Sequence, residues 1–322
     1  MLIHEFGIRV DSLELLEDIL NGSYRPENSA DKAVYEEMNR WLECFEKPRI
    51  DYVYYGSEFC NKRFPAAQEW REMVSFCAEQ NKVLVMVIPQ ADDETGEKVL
   101  NIISEFYSKY QLENFEILVN DFGILEKVNK IPYLKHNLTV RLGRVLDKTY
   151  HDGRLNDQEQ MRLYRDCKVR WSDDGTWIPE MAKCVLRRYP VNGIDIDIPA
   201  IASMCSTKKD DPEYSVGMFV PYSYTTTGGI CLMQNIGIPY ERKFGSSNKS
   251  CQKKCLEYIQ KMKKKVIDIH DENPGMNNGH NMKDIVMYRV GNTVYYIRNC
   301  NPEAIVTTGN IRRLIFEPKL MI

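Results

Sequence analysis

The chain places Cys60 at the end of the run Asp-Tyr-Val-Tyr-Tyr-Gly-Ser-Glu-Phe-Cys, and gathers Cys231, Cys251 and Cys255 much later in a polar, glycine-bearing stretch. Thiolates are soft ligands, and four is the number that a 4Fe-4S cluster or a structural zinc takes. A thiol at a strand end and a distant cysteine-rich segment form one site if the fold brings both regions together. The residues alone do not choose between cluster and zinc. Cys231 sits beside Thr225 to Thr227, Gly228 and Gly229, where no periodic apolar face requires a buried thiol. Cys251 and Cys255 would share a helical face, about 5 to 6 Å apart, which suits two ligands of one cluster. Leu256, Ile259, Met262 and Val266 continue an apolar stripe through the same segment, so helix core explains that spacing equally well. The remaining six of the ten cysteines, Cys44, Cys77, Cys167, Cys184, Cys205 and Cys300, read as core packing.

Other chemistry-bearing residues also fall just after short apolar runs. Lys62 and Arg63 follow Cys60, Asp121 follows Ile117-Leu118-Val119-Asn120, and Arg141 and Arg144 bracket Gly143. Two guanidinium forks beside an open backbone suit a carboxylate or phosphate, and surface salt bridges are the competing reading. Asp121 fits an acid, a base or a substrate-orienting group, and equally a strand exit with Asx hydrogen bonding. Asp195 and Asp197 alternate, so a strand would point both to one face. The lysines at 253, 254, 261, 263, 264 and 265 could meet RNA phosphates, although a solvated face explains them more simply.

Several enzyme classes lose support. There is no His-Glu-x-x-His helix, Gly-x-Ser-x-Gly elbow, P-loop or Gly-x-Gly-x-x-Gly turn, and the five histidines are scattered. A formal charge of −3 gives no global reason for nucleic-acid or anionic-membrane binding. No run approaches the ~18 apolar residues of a membrane span, and the first residues lack the pattern of a secretory signal. The expectation is a cytoplasmic protein that does not enter a membrane, with thiols kept reduced rather than paired.

The elements that would position these residues alternate. Strand-like runs cover 51–56, 83–88, 115–120, 138–142, 168–171, 193–196 and 217–221, with amphipathic helical patterns over 32–45, 66–80 and 97–110. Such βα units predict a TIM-like α/β barrel over residues 1–260. After residue 260 come a lysine-rich stretch, an Asn/Gly/Pro loop over 273–281 and a hairpin over 285–298 turning at Gly291-Asn292. Residues 261–322 are therefore expected as a C-terminal extension packed on the barrel.

Tyr-Tyr-Gly-Ser-Glu-Phe-Cys-Asn-Lys-Arg at 54–63, Val-Asn-Asp-Phe-Gly-Ile-Leu at 119–125, Gly-Arg-Val-Leu at 143–146 and the Cys231, Cys251, Cys255 group together resemble peptidase family U-32. The likeness is nearest to the branch with the oxygen-independent ubiquinone hydroxylation proteins. It runs in order from about residue 50 to 256, and its specificity lies in the combination of short motifs. It implies a barrel-like α/β domain, a 4Fe-4S cluster, and hydroxylation of quinone precursors or RNA bases without molecular oxygen. Position by position it makes Cys60 the strand-end ligand, Cys231 the loop ligand and Cys251 with Cys255 the closing pair. Gly229-Ile230-Cys231 departs from the Gly-Arg-Cys common in members called peptidases, and the segment after residue 260 is unlike the short ubiquinone proteins. The leading expectation is an iron-sulfur hydroxylase or its subunit. Asp121, Arg141, Arg144, Lys62 and Arg63 would then serve a small anionic or aromatic substrate, and a paired family homologue would be a partner. A collagenase-like peptidase and a non-catalytic scaffold pinned by zinc are the alternatives.

Overall fold

The computed structural model describes residues 3–45, 48–110, 115–131, 138–146, 187–198, 214–239, 241, 251–263, 286–297 and 311–322. The run expected as a strand over 168–171, the loop over 273–281, lysines 264 and 265, and Cys167, Cys184, Cys205 and Cys300 lie outside the described residues.

Eight parallel strands close a barrel. They are β1 (Glu5–Val10), β2 (Tyr52–Gly56), β3 (Val83–Ile88), β4 (Phe115–Val119), β5 (Thr139–Leu142), β6 (Val191–Ile196), β7 (Ser215–Val220) and β12 (Ile311–Phe316), and β12 lies between β1 and β7. Helices α1 (Leu13–Leu20), α2 (Ser29–Glu43), α3 (Ala67–Glu79), α4 (Asp93–Tyr110) and α5 (Phe122–Asn129) pack outside. The TIM-like α/β barrel is thus present. Local sequence sets the helix starts: Ser12 accepts from Leu15 N, Asn28 from Ala30 N and Asp31 N, and Asp121 from Ile124 N. Each such cap contributes about 1 kcal/mol by satisfying an otherwise orphaned N–H.

Described residues between β7 and β12 build an antiparallel sheet, β8 (Tyr222–Thr227), β9 (Gln260–Lys263), β10 (Val286–Val290) and β11 (Thr293–Ile297), in the order β8-β11-β10-β9. The hairpin β10–β11 turns at Gly291-Asn292 as the sequence implies. Two features differ from the 1–260 and 261–322 division. Residues 311–316 are a barrel strand, and β8 belongs to the second sheet although it precedes residue 260. The second sheet lies over the C-terminal ends of the barrel strands. Tyr222, Tyr224 and Tyr295 of that sheet form one apolar cluster with Phe59, Val145 and Leu320.

The barrel interior is mixed. Tyr54, Val85, Val87, Leu118, Phe219 and Ile315 supply its apolar part. Two layers of buried charge cross it. In the lower one, Arg141 Nε donates to Asp195 at 2.9 Å, Tyr54 OH donates to Asp195 at 3.0 Å, and Arg313 pairs with Glu116 and Glu5. Gly193 and Gly217 leave room for the Arg141–Asp195 pair: a Cβ at either would stand 2.4 Å from Arg141 Nη1 or 2.2 Å from Asp195 Oδ1. The upper layer joins Arg9 and Arg144 to Glu58, Asp197 and Glu317, with N···O distances from 2.8 to 3.1 Å. Burial works against the Arg144 charge, but Glu317, Glu58 and Asp197 outweigh it and raise its pKa.

Removing one partner from a buried pair leaves an uncompensated charge, which costs about 3 to 5 kcal/mol, whereas an exposed pair contributes about 0 to 1 kcal/mol. Glu317 accepts from both Arg9 and Arg144, while Lys62 pairs with Asp92 at the surface. Glu317→Ala should therefore lower unfolding free energy by about 3 to 5 kcal/mol, and Lys62→Ala by less than about 1 kcal/mol. Denaturant titration checks this, and equal losses would contradict the buried layer's structural weight.

Candidate metal centre

Cys60 leaves β2 through a short link that its own backbone stabilises. Ser57 Oγ donates to Cys60 O at 2.7 Å and accepts from Cys60 N at 3.3 Å. A 3-10 turn over Asn61–Arg63 follows. The half-buried thiol is pushed up, first by burial and further by the nearby thiols of Cys251 and Cys231. Those two cysteines are therefore within electrostatic reach of Cys60.

Cys231 follows Gly228-Gly229-Ile230 at the end of β8 and precedes a 3-10 turn at Met233–Asn235. Cys255 lies in another 3-10 turn, Lys254–Leu256, entered through Lys253 at φ 52°. The helix that would put Cys251 and Cys255 on one face is absent. A left-handed residue interrupts it, and β9 begins at Gln260. Leu256 is exposed rather than core. Lys254 Nζ donates to Ile236 O at 2.7 Å and ties the two cysteine segments together.

All four cysteines line one cavity of about 380 Å³, together with Lys62, Asp92, Gln234 and Asn292. Burial pushes the Cys255 thiol up to about 11, with Cys231, Cys60 and Cys251 adding to it and Arg63 opposing. Among the described residues, no group of three or more His, Cys, Asp or Glu side chains stands in the geometry of a preformed metal site. Four soft donors round one cavity are the number that either a 4Fe-4S cluster or a structural zinc takes. Binding would require the thiols to give up their protons.

The other expected site residues divide by depth. Lys62 lies at the cavity's edge and pairs with Asp92 at 3.4 Å, while Asn61 Nδ2 also donates to Asp92 at 2.8 Å. Arg63 faces Asp11 at 3.9 Å and lines a smaller cavity beside Cys255. Arg141 and Arg144, expected beside an anion, are buried within the barrel with donors engaged by Asp195, Asp197, Glu58 and Glu317. Asp195 and Asp197 do share the inward face. Asp121 caps α5 and lines none of the cavities beside the cysteines. Cys77 is buried core on α3, and Cys44 Sγ donates to Arg40 O at 3.5 Å.

A groove of about 490 Å³ opens on another side of Cys255. Tyr24, Tyr258 and Tyr288 line it with Lys261 and Lys319. Sequence reasoning passed over Glu58, Asn292 and the tyrosines of this groove. Glu58 was within reach, since it occupies the same strand-end run as Cys60. The groove was not, because it joins α2, β10 and the 255–261 segment only in three dimensions. Comparison of the chain with protein-family models, with curated proteins and with solved structures finds no match.

Thiol exposure gives a direct check of this arrangement. In reduced, metal-free protein Cys251 is exposed, Cys60 and Cys255 are half-buried with raised thiols, and Cys77 is buried with its thiol pushed up to about 12. Because the thiolate reacts, mass-spectrometric alkylation should modify Cys251 at least about 10-fold faster than Cys77, with Cys60 and Cys255 between them. Equal rates at all four positions would contradict the structure of the site.

Proposed function

We propose that this chain is a cytoplasmic iron-sulfur protein of the peptidase U-32 kind, acting as an oxygen-independent hydroxylase or as a subunit of one. The observation that carries the reading is the convergence of four thiols, from segments nearly 200 residues apart, on a single cavity. The absence of a membrane-spanning helix among the described residues accords with it. Cys60, Cys231, Cys251 and Cys255 would hold a 4Fe-4S cluster, which supplies one-electron chemistry when bound.

The chain's own residues supply the setting. The second sheet closes the barrel mouth with Tyr222, Tyr224 and Tyr295, and the last two pack against Phe59, which lines the site. The groove beside Cys255 brings Tyr24, Tyr258 and Tyr288, which suit an aromatic ring, together with Lys261, Lys319 and the carboxylates Asp11, Glu27, Asp31 and Glu257, so its charge is mixed. Lys62 lines the four-cysteine cavity with its partner Asp92, and Arg63 lines the smaller one with its partner Asp11. Arg141 and Arg144 act in this reading by fixing strand ends, and Asp121 by starting α5.

A protein partner also fits. Ile230, Leu232, Ile236, Leu256 and Tyr258 are exposed apolar side chains, all carried on the two late cysteine segments. A paired homologue covering them would bury the rim and shield the site from oxidants.

Single substitutions test the ligand set. Cys60→Ser, Cys231→Ser, Cys251→Ser and Cys255→Ser should each remove most of the visible thiolate-to-iron absorbance of anaerobically purified protein, and Cys77→Ser should leave it intact. Full absorbance in any two of the four variants would overturn the assignment.

A further inference from the structure

We propose that Asn292 is a positioning residue that clamps the two halves of the cysteine site together. Asn292 occupies the two-residue turn between β10 and β11, since Val290 pairs directly with Thr293. Its Nδ2 donates to Phe59 O at 2.7 Å and to Gly228 O at 2.6 Å. Phe59 immediately precedes Cys60, and Gly228 opens the loop that carries Cys231. One amide group thus spans chain segments that are otherwise 169 residues apart (228 − 59).

The orientation of that amide is fixed by its partners. Both carbonyls can only accept, so the NH2 must face them. Thr293 Oγ1 donates to Asn292 Oδ1 at 3.2 Å, which occupies the other end. Thr293 Oγ1 also lies 3.0 Å from Thr227 Oγ1, just before Gly228. The turn reaches the third segment through Gly291. Its φ is +58°, and a Cβ built there would stand 3.5 Å from the Cys255 Cβ and 2.4 Å from Ile322 Cδ1. Glycine at the first turn position with positive φ is the II′ hairpin pattern. Gly291 therefore lets the turn sit close to Cys255 while Asn292 holds the backbone just before Cys60 and before Cys231.

The short polar side chain matches this task. A hydrophobic residue would leave the Phe59 and Gly228 carbonyls without this donor, and aspartate would set a carboxylate oxygen against both. Groups that orient ligands without touching the metal are worth about 10- to 100-fold in metal affinity. Asn292 lines the cavity beside the four cysteines, which places it in that supporting role.

The inference rests on the four-cysteine site, and the test separates the two. Asn292→Ala and Asn292→Asp are prepared anaerobically beside the parent protein. Two readouts are taken: the rate at which a chelator strips the visible chromophore, and alkylation rates of Cys60, Cys231 and Cys77 in the metal-free chain. The clamp predicts about 10-fold or faster chromophore loss in both variants. It also predicts faster alkylation of Cys60 and Cys231 with Cys77 unchanged and the thermal midpoint within a few degrees. Loss of protection at Cys77 in step with the other two would mean general loosening and would overturn the clamp. Unchanged stripping and alkylation would overturn it as well. A parent protein without any chromophore would count against the cluster reading alone, and alkylation would still decide the role of Asn292.

Discussion

The upper layer of buried charge is the constraint on which the rest of the molecule depends. Arg9, Glu58, Arg144, Asp197 and Glu317 come from β1 and from the chain just after β2, β5, β6 and β12, and their side chains are almost wholly buried. Charges out of water are tolerated only with close partners, so these five strand ends are held in one geometry. The consequences reach outward in both directions. Phe59, next to Glu58, lies beside the Arg144 guanidinium at 5.3 Å and leads directly into Cys60. Asp197 accepts from Tyr224 N at 3.2 Å, and Tyr224 OH donates to Arg144 O at 2.9 Å, so the second sheet is seated on the same layer.

That seating explains why a cysteine site forms where it does. A barrel of this type ordinarily leaves its C-terminal mouth open to the βα loops. Here the insertion between β7 and β12 covers the mouth, with Tyr222 OH donating to Lys319 O and Tyr295 OH to Met321 O. The site is displaced to the margin between the β2 exit, the β8 exit and the turn of β10–β11. Cys60 comes from the barrel, and Cys231, Cys251 and Cys255 come from the insertion. The four thiols meet only when the sheet is docked, so a group bound between them would stabilise that docking by mass action.

Much of this was legible in the sequence, and the failures have physical reasons. Val83–Ile88 is apolar throughout because helices cover one face and the barrel interior the other, so it reads plainly as a strand. The hairpin was equally plain from Gly291-Asn292 between β-rich runs. Strands β1 and β12 escaped because their inward residues are Arg9 and Arg313, which break the apolar pattern that identifies a strand. For the site, residue type singled out the four cysteines, and the cavity brings all four together. Their local structure was not legible, since the helical spacing of Cys251 and Cys255 is cut by Lys253 in the left-handed region. The pairing of Arg141 and Arg144 was not legible either, because their carboxylate partners are distant in sequence.

If Cys60, Cys231, Cys251 and Cys255 hold the proposed polynuclear cluster, anaerobic analysis of iron, zinc and acid-labile sulfide in the purified chain should return about four iron and four sulfide per chain, with little zinc. One zinc per chain without sulfide would rule the cluster out.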